Sequence, residues 1–132
     1  MKDTLVSGLQ STRKITIDKD RTIDFMGEAL RVYATPELVR DIEVTCRDLL
    51  LEHLDAGEDS VGTRVEIDHT GATLLGMNVT IDVAISKLDG RLATFEVIAR
   101  DNHEEVAKAT HMRFIVETAK LESRLKAKAA KS

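Results

Sequence analysis

The chain has 132 residues, enough for one domain with a real core, and its 42% hydrophobic and 32% charged residues are those of an ordinary globular protein. A net charge of −4 with only 3% aromatic residues excludes the basic grooves and stacking rings on which nucleic-acid binding depends, so no nucleic-acid partner is expected. One cysteine closes no internal disulfide, the opening MKDTLVSGLQ has no apolar run of signal-peptide length, and no segment approaches the roughly 18 apolar residues of a membrane span, so a cytoplasmic protein with no membrane partner is expected.

In chain order, RKITID at 13–18 is a short strand candidate, followed by an irregular polar stretch to about Leu30. From Pro36 to Leu54 the period becomes helical: Leu38, Ile42, Cys46, Leu49 and His53 recur on one stripe, widened by Val39, Leu50 and Leu54. Thr35 before Pro36 reads as an N-cap followed by proline at the first helical position, and DAGEDS at 55–60 reads as the stop. Beyond it the period is two. In VGTRVEIDHTGAT, residues 61–73, Val61, Thr63, Val65, Ile67 and His69 share one parity, so a titratable ring ends an apolar row.

Met77, Val79, Ile81, Val83 and Ile85 then alternate with polar or small residues, and Asp89-Gly90 is a favoured two-residue hairpin turn. Ala93, Phe95, Val97 and Ala99 form the return strand, and Val106, Thr110, Met112, Phe114 and Val116 the last one. The end, KLESRLKAKAAKS, is helix-prone and basic. No internal repeat interrupts residues 1–132, which read as a single domain.

Strand, long helix and four strands in an antiparallel meander describe an α+β protein of hotdog architecture, one long helix wrapped by a five-stranded antiparallel sheet. Such a sheet leaves an edge that a second copy would cover, so a homodimer or a dimer of dimers is expected. With the apolar face packed on the helix, His69 points at the helix, where Glu43 falls between Leu50 and Leu54 at the margin of the stripe. A carboxylate and an imidazole so placed tune each other's ionisation.

These residues resemble the hotdog thioesterases similar to fluoroacetyl-CoA thioesterase. The resemblance runs from about Tyr33 to Val116 and rests on AT with a Glu eight residues after the Thr, GT shortly before HTGAT, and THMR near the centre of the last strand. It implies that Thr35, Glu43 and His69 form the catalytic set and that Gly62 is a substrate-binding residue lying against the thioester carbonyl. It implies an acyl-CoA thioesterase that hydrolyses a small acyl thioester to free acid and CoA. The segment DFMGEALRVY before the Thr is less aromatic than the corresponding lid of the fluoroacetate enzyme, so the resemblance implies acyl-CoA chemistry and no particular acyl group.

Thioester hydrolysis needs an attacking oxygen, a group to move its proton, and donors aimed at the developing oxyanion. His69, with a free pKa near about 6.5, suits the proton transfer. Thr35 is either nucleophile or positioning hydroxyl, and Glu43 either orients His69, activates water or attacks the carbonyl. Each has a plainer use: Thr35 as N-cap, Glu43 as a flank charge paired to Arg47 at i+4, His69 as a core histidine, Gly62 as a bulge glycine. Cys46, in mid-stripe, reads as packing. His111 and Arg113 lie on the opposite parity from Met112 and Phe114 and meet solvent, a dimer partner or the acyl pocket, with an ion pair for Arg113, the second candidate for substrate binding.

Lys120, Arg124, Lys126, Lys128 and Lys131 of the basic tail either reach CoA phosphates or form a solvated helix end. His53, His69, His103 and His111 have no metal-ligand spacing, and neither a glycine-rich phosphate loop nor a GxSxG elbow occurs, so no metal and no cofactor are expected. The competing functions are a non-catalytic hotdog module that binds an acyl thioester or small ligand, and a hydratase-like hotdog enzyme.

Overall fold

The helix written by the apolar stripe is α1, Thr35–Leu51, in a computed structural model that describes residues 1–131. It buries Leu38, Ile42, Cys46, Leu49 and Leu50. Five strands receive that face: β1 (Gln10–Thr16), β2 (Glu58–His69), β3 (Asn78–Asp89), β4 (Leu92–Arg100) and β5 (Glu105–Glu117). A second helix, α2 (Thr118–Ala129), follows with no buried residue. Val79, Ile81, Val83 and Ile85 of β3 and Ala93, Phe95, Val97 and Ala99 of β4 all point into the core, as their alternation predicts. Burial of each large side chain there contributes about 1.5–3 kcal/mol.

The sheet is antiparallel throughout, in the order β1-β3-β4-β5-β2. The expected four-strand meander is therefore a three-strand one, β3-β4-β5, with β2 on the far side of β5. The cause lies just after His69, where the N–H groups of Thr70 and Gly71 donate to the Val106 carbonyl at 2.9 and 3.1 Å. Those bonds bind the end of β2 to the start of β5. The hairpin loop is one residue later than expected, because Asp89 pairs with Leu92 and the turn is Gly90-Arg91. Gly90 takes the φ of +60° that this position requires.

Two face assignments differ from the sequence pattern. In β2, Gly62 lies opposite Arg113 and Arg64 opposite Met112, which leaves Thr63 as the extra residue of a bulge. Val61 therefore points outward beside Phe114, whereas Val65, Ile67 and His69 lie opposite His111, Ala109 and Ala107 on the helix side. In β5 the inward row is Ala107, Ala109, His111, Arg113 and Ile115, and the larger apolar Met112 and Phe114 face the other way. Phe114 lines a cleft of about 460 Å³ with Arg91 and with Lys120, Ser123 and Arg124 of α2, which explains an apolar side chain on the outer face.

Residues 17–34 form two short 3-10 turns, Lys19–Arg21 and Glu28–Leu30. An isolated bridge from Thr22 to Tyr33 closes this segment on itself, and one from Val32 to Leu74 fastens it to the loop that follows β2. The start of α1 and the end of β2 are thereby held side by side.

Candidate active site

Thr35 is the first residue of α1, with Ala34 at the N-cap and Pro36 in the first turn. The sequence expectation of a threonine cap is therefore corrected: no side chain caps this helix, and the Thr35 hydroxyl turns to the sheet instead. Its Oγ1 stands 2.8 Å from His69 Nδ1. Burial pushes the His69 pKa below its ordinary value, and a backbone contact from Gly71 offsets this only in part. The ring is consequently neutral at neutral pH. Its Nε2 is buried and has no partner in hydrogen-bond geometry among the described residues. With Nδ1 unprotonated, the Thr35 hydroxyl donates to it, which is the arrangement of a nucleophile and its base.

Glu43 lies in the middle of the helix, its side chain 41% exposed, and its Oε2 accepts from Arg113 Nη1 at 3.2 Å. The alternative partner, Arg47, is taken by Asp59 through Nε and Nη2 at 2.9 and 2.7 Å. Arg113 is almost wholly buried and donates from Nε to Ser60 Oγ at 2.8 Å and from Nη2 to the Ser60 carbonyl at 2.9 Å. Its Nη1 also stands 3.1 Å from His111 Nε2. His111, fully buried, has Nδ1 2.8 Å from the Arg64 carbonyl. A carbonyl only accepts, so the proton sits on Nδ1 and Nε2 accepts from Arg113. Burial lowers the His111 pKa, and the Arg113 charge adds to that more weakly, against the Arg64 carbonyl, which raises it.

Gly62 completes this group, since a Cβ there would fall 2.7 Å from Glu43 Oε2 and 3.2 Å from His111 Cε1. Only glycine leaves the carboxylate where it is. Arg40, Glu43, Val44, Arg47 and Arg113 line a cleft of about 220 Å³ beside it.

The five candidate residues thus fall into two groups, Thr35 with His69 and Glu43 with Gly62 and Arg113. Eight residues of helix separate Thr35 from Glu43, a rise of about 12 Å at 1.5 Å per residue. The Glu43–His69 contact expected from the sequence does not form within the chain; the helix residue that meets His69 is Thr35. Cys46 is buried, and desolvation pushes its thiol up to about 12, which removes it as a nucleophile. In α2, Lys120 and Lys126 pair with Glu117 and Glu122, each at 3.1 Å. Sequence reasoning passed over His111 as the holder of Arg113, and Ser60 beside it. The signal was the spacing of His111 and Arg113 two apart on a strand, which puts both on one face.

The model of the family described as FlK, fluoroacetyl-CoA-specific thioesterase, matches residues 17–119. The chain is similar to the fluoroacetyl-CoA thioesterase of Streptantibioticus cattleyicolor, with 27% identity over 135 residues that cover 97% of each protein. A crystal structure of a mutant of the fluoroacetyl-CoA-specific thioesterase in complex with fluoroacetate and CoA superposes with a TM-score of 0.82 at 27% identity, over 89% of this chain and 99% of that one. A hot-dog-like protein from Thermanaerovibrio acidaminovorans shares the fold, with a TM-score of 0.85 at 24% identity over 92% of this chain and 91% of that one.

Proposed function

Because the chain belongs to the fluoroacetyl-CoA-specific thioesterase family, we propose that it hydrolyses small acyl-CoA thioesters to the free acid and coenzyme A, with Thr35, His69 and Glu43 as the catalytic set. The observation that carries this is the 2.8 Å contact between Thr35 Oγ1 and the neutral ring of His69. Thr35 Oγ adds to the thioester carbonyl carbon while its proton passes to His69 Nδ1. The tetrahedral oxyanion collapses with cleavage of the carbon–sulfur bond, and the CoA thiolate takes up that proton. Water, activated by the same ring, then hydrolyses the acyl-threonine ester. Phe25, Met26, Leu30, Leu74 and Leu75 stand exposed on the two segments that bracket Tyr33, an apolar rim suited to a hydrocarbon acyl group.

Glu43 and Gly62 serve this reaction from a second copy of the chain. Of the two edge strands, β1 and β2, the longer is β2, which is 12 residues long and carries Val61 and Val65 at 39% and 36% exposure. Antiparallel pairing of β2 with its own copy about a two-fold axis sets the end of one strand beside the beginning of the other. His69 of one protomer then approaches Gly62 and Glu43 of the partner subunit, where Gly62 admits the thioester carbonyl, Arg113 holds the carboxylate and lines the substrate cleft, and Glu43 supports the proton transfer. A homodimer is therefore the active unit, and the single buried thiol fits a cytoplasmic setting.

Release of CoA thiol from short, branched and aromatic acyl-CoAs tests the reaction; saturable binding without thiol release would identify a non-catalytic module instead. Co-refolding inactive Thr35→Ala with inactive Glu43→Ala protein tests the shared site. Heterodimers regain one intact site and partial activity, whereas heterodimers no more active than either parent would confine the set to one chain.

A further inference from the structure

Behind the Thr35–His69 pair lies a buried acid that the reaction above does not use. Asp41 sits on the inner face of α1 among Leu38, Ile42 and Thr45. A carboxylate there is costly unless it is paired and hydrogen-bonded. Arg21 meets it with two parallel bonds, Nε to Oδ2 at 2.9 Å and Nη2 to Oδ1 at 3.0 Å, while Asp18 holds the remaining Nη1 at 2.7 Å. Tyr33 donates its phenolic hydrogen to the same Asp41 Oδ2. Burial and this bond push the Tyr33 pKa up, so the hydroxyl remains a donor across the working range of pH.

The Tyr33 ring, itself buried, packs against His69 in a T-shaped contact, with centroids 6.3 Å apart and planes at 78°. Its backbone N–H donates to the Thr73 carbonyl at 2.8 Å, and Ala34 N–H to the Arg21 carbonyl at 2.8 Å. The ring is thus held at both ends, by the loop that follows His69 and by Asp41. Among the described residues His69 itself has a single side-chain hydrogen bond, to Thr35, and no hydrogen-bond partner for Nε2. One bond does not stop an imidazole from rotating, so the wall beside it decides where Nδ1 points. The charged groups around this wall are Asp41 and Arg21 behind Tyr33, Glu37 of the first turn of α1, and Glu104 beside Gly71 on the other flank.

We propose that Asp41, clamped by Arg21, is a positioning residue that acts through the Tyr33 ring to hold His69 in the rotamer facing Thr35. The kinetic half of this rests on the thioesterase reading; the orientation of the ring does not. Tyr33→Phe and Asp41→Asn are measured by steady-state thiol release, by thermal melting and by an NMR titration of the His69 ring. Folded variants with kcat lowered about 10- to 10²-fold, KM nearly unchanged and the His69 midpoint moved up toward that of free imidazole support the proposal, since water then reaches a loosened ring. Adding Arg21→Met to Asp41→Asn restores part of the loss by removing an uncompensated cation.

A folded Tyr33→Phe protein whose His69 titrates as in the wild type overturns the proposal whatever its turnover. A shifted midpoint with wild-type kcat also overturns it, because the ring then needs no such support. If the wild type releases no thiol from any acyl-CoA, the thioesterase reading fails alone and the ring titration still decides this one.

Discussion

The two histidines on the inner face of the sheet are bonded in opposite ways, although burial lowers the pKa of both. His111 is saturated: Nδ1 meets the Arg64 carbonyl, Nε2 meets Arg113, and the ring stacks on Phe95 at 6.4 Å and 29°. His69 has Thr35 on one nitrogen and, among the described residues, no partner in hydrogen-bond geometry on the other. An imidazole with every bond committed cannot exchange a proton without breaking a network, whereas one with spare capacity can. Perturbed ionisation alone therefore does not distinguish a catalyst from a strut; the count of satisfied bonds does.

The strongest way to break this comparison is to remove each ring. His69→Ala lowers thiol release by at least about 10²-fold, the usual contribution of a positioned acid or base, and leaves the melting temperature nearly unchanged. His111→Ala does the reverse in kind. It strands the Arg64 carbonyl and one Arg113 donor in the interior, at about 1–3 kcal/mol for each unsatisfied group, so its melting temperature falls clearly. If His69→Ala proves the less stable protein and keeps its turnover, the assignment is inverted.

A smaller effect sharpens the role of the second group. The Cβ of Gly62→Ala pushes against the far end of the Glu43 side chain, which is flexible, so folding is little disturbed while the carboxylate moves. Turnover falls between about 10- and 10²-fold, the scale of an ångström's misplacement. Wild-type activity in this variant would remove Glu43 from the reaction.

The smallest effect is the pH dependence of stability. Both histidines have folded-state pKa values below that of free imidazole, so the unfolded chain binds these protons more readily. Stability is then fully present above about pH 6.5 and is lost as pH falls from there toward the lowered folded-state values. His111→Gln flattens this slope, while turnover in the wild type rises through the His69 midpoint, below about pH 6.5. A denaturation midpoint that does not change between pH 5 and 7 contradicts the sign.

The sequence made the long helix, the β3-β4 hairpin and the Thr, Glu and His candidates legible because each rests on a period or a fixed spacing. What it could not resolve was which face β5 turns inward. Met112 and Phe114 are more apolar than His111 and Arg113, and hydropathy favours them for the core. The polar pair goes inside because Ser60, Glu43 and the Arg64 carbonyl are there to receive it. Thr35 was misread as a cap for a similar reason: local composition suits a cap, and the competing partner, His69, is 34 residues away. Long-range partners carry no local signature.

Thr63 gives β2 a phase. Before it, even-numbered residues face the helix; after it, odd-numbered ones do. The strand is two rulers joined half a division out of step, one graduated for Gly62 and the other for His69. β5 keeps one period throughout, so deleting Thr63 would close the ladder into regular alternation, with Gly62 still opposite Arg113, Arg64 opposite Met112 and His69 still on the helix side. What Thr63 adds is therefore shape: the strand absorbs one residue of extra length without turning either site residue away, and it bends and twists at that point between Gly62 and His69.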